Sequence, residues 1–201
     1  DGSVTSGGTA FVGGTGVTAS SIISVGGSLV ANTAVLIQGG NMASTIVATS
    51  GTSLIKANTS TLQILGGTMG NTTMDLAGTI SNVGAATTIT GSTGGGITTI
   101  NMSGDTSSVG AVQVGYNGTG TANIVISGSV ASGSTIAITS LSSGNSGALF
   151  ATVSGSLTGT GVSIDGAAGA DTFNVTGTIT SGSTIAINGN AAADTDHITP
   201  H

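Results

Sequence analysis

A glycine that follows a short apolar stretch and leads into a small residue returns eight times, at positions 2, 27, 51, 78, 104, 128, 155 and 177, a mean step of 25 residues. The run Ile124-Val125-Ile126-Ser127-Gly128-Ser129-Val130 is typical. No unit of this size can bury its own apolar face, so successive units must stack on one another as a solenoid. A second column falls about half a period later, in Val35-Leu36-Ile37-Gln38-Gly39-Gly40, Leu62-Gln63-Ile64-Leu65-Gly66-Gly67 and Val162-Ser163-Ile164-Asp165-Gly166. Each coil is therefore expected to have two related halves.

Within each half the apolar residues alternate, as Ile136 and Ile138 or Val162 and Ile164 do, which is the period of a strand with one buried face. No segment carries a helical stripe. Glycine at the strand ends is expected to turn the chain through positive φ, with Ser, Thr and Asn beside it satisfying turn amides. The expected fold is all-β, a parallel β-helix of about eight coils. An antiparallel sandwich, which also alternates short strands with turns, is the competing arrangement. It does not explain two interleaved columns in near-constant register.

Composition fits a narrow rod better than a globule. There are 37 Gly, one Tyr, three Phe, no Trp and no Cys, so the interior must be built from small aliphatics. Gly/Ser richness often signals disorder, but the mean hydropathy of +0.46 and the recurring Val, Ile and Leu argue for order. The chain offers neither a disulfide framework nor an apolar run long enough to span a membrane. Seven Asp against Lys56 as the one basic side chain gives a net charge of −6, which leaves no basic surface for a nucleic acid. Near-absence of Lys and Arg also denies trypsin-like proteases their sites, which suits an extracellular location.

The chain reads as one solenoid domain, 1–201, with double-Gly repeats over 1–85 and single-Gly repeats with longer Ser/Thr/Gly inserts over 86–201. Met42, Met69, Met74 and Met102 are expected to fill core space. Neither end shows a polar cap. The expectation is either a piece of a longer protein or ends that stack on other copies.

Around Val25-Gly26-Gly27-Ser28-Leu29-Val30-Ala31-Asn32-Thr33, Gln38-Gly39-Gly40-Asn41-Met42-Ala43-Ser44-Thr45-Ile46 and Leu65-Gly66-Gly67-Thr68-Met69-Gly70-Asn71-Thr72 the sequence resembles the passenger repeats of AIDA-type autotransporter adhesins. The resemblance covers roughly residues 11–80. It implies a β-solenoid on a bacterial cell surface, used in adhesion, aggregation or matrix building. Farther on, Gly166-Ala167-Ala168-Gly169-Ala170-Asp171-Thr172-Phe173 resembles one nonapeptide of calcium-binding RTX proteins, and Gly189 to Asp196 is a decayed copy. RTX sites are built from tightly successive nonapeptides, and here one good copy stands alone.

The calcium case rests on Asp165, Asp171, Asp194 and Asp196, four of the seven acids within the last 37 residues. Carboxylates and turn carbonyls are the hard oxygen ligands that calcium takes, and coil stacking would set Asp171 over Asp194. The competing reading makes them solvated turn carboxylates. His197 and His201 fall in a terminal segment with Pro200 and are expected to be exposed tail residues. Parallel β-helices also host polysaccharide-cleaving enzymes, but the absence of Glu and Arg, and the distance of Lys56 from the Asp cluster, argue against catalysis. Thr88-Ile89-Thr90 and Thr178-Ile179-Thr180 have the alternation of an ice-binding threonine rank but do not recur at each coil. Five Asn-x-Ser/Thr triplets, at Asn58, Asn71, Asn101, Asn117 and Asn174, are no more than chance supplies in so hydroxyl-rich a chain. The expected function is a secreted bacterial structural protein whose copies self-assemble into a filament, matrix fibre or surface layer. A monomeric arm that binds glycans, alone or beside other surface proteins, is the alternative, and ice binding a further one.

Overall fold

The computed structural model describes residues 3–13, 20–42, 44–48, 51–140, 146–189 and 195–199. These residues hold no helix, and every strand pair is parallel. The chain winds as a β-solenoid whose levels pair in register from one coil to the next. Seven coil-to-coil steps join eight levels, close to the expected number of coils. At about 4.8 Å per step the rise is about 34 Å.

Each coil contributes three strand positions rather than two. The first face holds Val4–Ser6, Ser28–Ala31, Leu54–Ala57, Thr79–Asn82, Thr106–Ser108 and Ser129–Ser132. The second holds Ala10–Gly13, Val35–Gln38, Leu62–Leu65, Thr87–Thr90, Val112–Tyr116 and Thr135–Ser140. The long strands Ser156–Asp165 and Thr178–Asn188 run across both faces and join them into one sheet, with a register shift between Gly159 and Gly161. Ser21–Val25, Ser44–Ala48, Thr72–Leu76, Thr98–Met102, Ala122–Ile126, Leu149–Val153, Thr172–Val175 and Thr195–Ile198 form the third face, a separate eight-stranded sheet. The two-half reading missed one strand because a single glycine corner separates two of them. Ala122–Ile126 ends just before Gly128 and Ser129–Ser132 starts just after it.

The core lies between the three faces. Second-face side chains alternate in and out, so Ile37, Ile64, Ile89, Val114, Ile138 and Ile164 form one column of fully buried aliphatics. On the third face Ile46, Met74, Ile100, Ile124, Ala151 and Phe173 form another, which places Met74 in the core as expected. Met102 is buried as well, whereas Met42 and Met69 are exposed at a corner. Burying each Ile or Leu stabilises the coil by about 1.5–3 kcal/mol, and an aliphatic stack repeats that gain at every level.

One level breaks the pattern. Thr87 is stacked between Leu62 and Val112 with no exposed surface, and its hydroxyl has no hydrogen-bond partner among the described residues. Valine has nearly the same shape without that polar atom. Thr87→Val is therefore expected to stabilise the fold by about 1–2 kcal/mol, read as a higher urea midpoint at unchanged m.

The corner glycines are required by close approach rather than by positive φ. At Gly78, Gly104, Gly128, Gly155 and Gly177 the backbone stays outside the left-handed region. A Cβ at Gly104 would collide with the carbonyl oxygen of Gly78, one at Gly128 with Gly104, one at Gly155 with Gly128 and one at Gly177 with Gly155. A second ladder of the same kind climbs the corner before the third face, where Gly96 sits on Gly70, Gly120 on Gly96, Gly147 on Gly120 and Gly169 on Gly147. The constant glycine spacing is thus the imprint of one coil's Cα seated on the previous coil's carbonyl.

Candidate functional site

The carboxylates singled out in the sequence do not share one environment. Asp165 ends the strand Ser156–Asp165 on the outer side, where its Oδ1 accepts a 2.8 Å hydrogen bond from Nδ2 of Asn188, its register partner one coil on. Asp171 points the other way and is 1 % exposed, so it is not a solvated turn carboxylate. Asp196 lies in Thr195–Ile198, in register with Phe173, and Asp194 falls outside the described residues. Among the described residues no group of three or more His, Cys, Asp or Glu is placed to hold a metal ion.

Asp171 precedes Thr172, the partner of Phe150, and so occupies the same inward column as Leu149. Farther up that column stand Ala122, Thr98 and Thr72. The two threonines organise the corner before them. Thr72 Oγ1 accepts from the Gly67 amide at 3.1 Å, and Thr98 Oγ1 accepts from the Ser92 amide at 2.8 Å. Asp171 does the same with greater reach, taking the Ala167 amide on Oδ2 at 2.8 Å and the Leu149 amide of the previous coil on Oδ1 at 2.7 Å. The glycine that opens each corner leaves room for this group, since a Cβ at Gly66, Gly91 or Gly166 would strike Thr72, Thr98 or Asp171. Each oxygen of the Asp171 carboxylate accepts a charge-assisted hydrogen bond from a backbone amide. The RTX-like segment thus holds its own corner together through Asp171.

Tyr116 is the other residue whose role the sequence did not suggest. It stands where neighbouring coils carry Gly91 and Ser140, yet only 1 % of it is exposed. The column beside this corner carries the small Ala122 at that level, and the hydroxyl of Tyr116 donates to the Gly147 carbonyl at 2.9 Å. Burial, assisted by the negative charge of Asp171, pushes its pKa from 10.0 up to about 12. An unfolded tyrosine ionises near its ordinary value, so above pH 10 the unfolded chain holds fewer protons than the folded one. Stability is expected to be level below pH 10 and to fall between about pH 10 and 12. Because the chain has a single tyrosine, phenolate absorbance titrated alongside the urea midpoint checks this directly, and Tyr116→Phe should flatten the fall.

The outer surface is polar with few charges. Asn101 donates to Asp75 at 2.7 Å and Asn58 to Asn32 at 3.3 Å, so amides bridge successive coils. A shallow groove crosses the first face, lined by Ser81, Ser107, Ser132 and Thr158 and edged by the exposed Val83 and Val109. The threonine ranks stay short. Thr88 is flanked by Gln63 and Gln113, and Thr180 pairs with Thr158 but the next strand carries Ala131. His197 belongs to the last third-face strand, in register with Asn174, rather than to a tail, and His201 lies outside the described residues.

The end coils leave apolar columns open. Val4, the register partner of the buried Leu29, is 58 % exposed at one end, and Ile185 and Ile198 are 52 % and 49 % exposed at the other. With Val175, Ile179 and Ile187 these last two line an apolar pocket on the final coil. No helix is long and apolar enough to cross a membrane among the described residues. No family model, curated protein or solved structure matches the chain.

Proposed function

We propose that this chain is a structural rod of a bacterial exterior, whose copies associate into a filament, matrix fibre or surface layer. The observation that carries the reading is the stack itself. Parallel pairing runs through eight levels of the described residues over continuous aliphatic columns. Such a stack grows by adding levels, whether further coils or the strand edges of another copy. Either addition lengthens the rod. The resemblance to autotransporter passenger repeats supports an adhesive or matrix-building role, and a surface with almost no Lys or Arg suits exposure to proteases.

The hydroxyl-lined groove of the first face favours a second reading, a monomeric arm that binds a glycan there. Electron microscopy of the purified chain, with calcium and with chelator, separates the two. Filaments or sheets are expected in both conditions, because Asp171 is engaged by backbone amides. Assembly only with calcium would make the Asp-rich end a metal-dependent joint. Isolated short rods in both conditions, together with specific retention on a glycan array, would replace the self-assembly reading by the arm.

A further inference from the structure

The chain contains two Asn-Gly steps, Asn117-Gly118 and Asn188-Gly189, and the fold treats them differently. Asn117 is exposed just past the buried Tyr116, and its side chain has no hydrogen-bond partner among the described residues. Its own amide donates to the Ser92 carbonyl at 3.1 Å, which holds the backbone while leaving the side chain free. Gly118 must be a glycine, because a Cβ there would collide with the carbonyl of Gly94 one coil back. Gly118 thus puts no side chain of its own between its nitrogen and Asn117, while the residue itself is buried against the previous coil and Gly189 is exposed. Asn188 is also exposed, but its Nδ2 donates to the Asp165 carboxylate at 2.8 Å.

We propose that Asn117 is a site of spontaneous covalent modification, converting to aspartate and isoaspartate while Asn188 is protected. The Gly118 nitrogen attacks Cγ of Asn117, an N–Cγ bond forms, the Cγ–Nδ2 bond breaks, and the amide proton leaves with Nδ2 as ammonia. Water then opens the resulting cyclic imide at either carbonyl. Opening at the main-chain carbonyl places the backbone through the former side chain and adds one methylene to the corner. Both products add one negative charge to the exposed corner at Asn117. At Asn188 the leaving amide must first give up its bond to Asp165, and a charge-assisted hydrogen bond at an exposed position slows that step by roughly fivefold to tenfold.

The inference concerns a corner within the rod and does not depend on how the chain functions. It is tested by ageing the folded protein at mildly alkaline pH, mapping peptides by mass spectrometry and labelling isoaspartate with an isoaspartyl methyltransferase. Asn117 should convert roughly fivefold to tenfold faster than Asn188, and the two rates should draw together in denaturant, where the Asp165 contact is gone. Asp165→Ala should accelerate conversion at Asn188 in the folded protein and leave Asn117 unchanged. Asn117→Gln, whose longer side chain closes a ring far more slowly, should remove the fast phase. Equal rates in the folded protein, an intact Asn117 while Asn188 converts, or no response of Asn188 to Asp165→Ala would overturn the proposal.

Discussion

Ile138→Asp is expected to leave the chain without a cooperative thermal transition. Ile138 has no exposed surface and stands in the second-face column between Val114 and Ile164. The substitution removes about 2–5 kcal/mol of packing and also asks the coil to bury a carboxylate. Column neighbours are aliphatic above and below, so no donor is available to the new charge. The sum approaches or exceeds the whole stability of a typical domain, about 5–15 kcal/mol. Ala137 lies next to it on the outer side of the strand, in line with Gln113 and Ser163. Ala137→Asp should therefore melt like the parent. If both variants kept the parent's circular dichroism and melting profile, the inward assignment of Ile138 would be wrong.

Gly128→Val is the second large effect. The added Cβ would meet the carbonyl oxygen of Gly104 and the backbone of Ser103, and neither can swing aside as a side chain could. The coils must separate locally, which strains the hydrogen bond from the Gly128 amide to the Met102 carbonyl. A loss of at least about 3 kcal/mol is expected, at the upper end of overpacking costs. Gly51 provides the internal control. It belongs to the same column in the sequence, but in register Ser53 takes the seat beneath Gly78, and no described atom lies within 4 Å of the place a Gly51 Cβ would occupy. Gly51→Ala should leave the urea midpoint nearly unchanged or raise it slightly, since alanine restricts the unfolded chain. Equal losses at Gly51 and Gly128 would show that backbone freedom, not stacking, is what these glycines supply.

The contrast between those two glycines shows how far the sequence could be read. Stacking was legible because Ile136 and Ile138 alternate and their neighbours recur one coil away. The third strand was not, since Ile124 to Val130 looks like one apolar element broken by a glycine, and only the corner's geometry divides it in two. Recurrence located the corner glycines but gave the wrong reason for them. A turn through positive φ and a close backbone contact leave the same residue in the sequence, and only the distance to the neighbouring coil tells them apart.

Asp171 was legible as special, but its burial and its bonds to backbone amides were not. Its resemblance to a calcium nonapeptide drew attention to oxygen, whereas its register places it beneath Leu149 in the column of Thr72 and Thr98. A usable signal was present. Glycine followed by a hydroxyl or carboxyl group five to seven residues later recurs at Gly66 and Thr72, Gly91 and Thr98, and Gly166 and Asp171. Tyr116 carried no comparable signal. That an aromatic ring could replace a corner glycine depended on the small Ala122 beside it and on a carbonyl at Gly147, which is 31 residues away.

The glycine ladders make the coil a unit of inheritance as well as of structure. Gly128 rests on Gly104 in the same way that Gly104 rests on Gly78, so excising the 24 residues from Gly104 to Ser127 would set Gly128 directly on Gly78. The reading frame and the seat on the preceding carbonyl both survive such an exchange, whereas loss of a single residue within a strand would turn its inward side chains outward. Genes of this design can change length by unequal recombination in whole turns, lengthening or shortening the rod with no new interaction required.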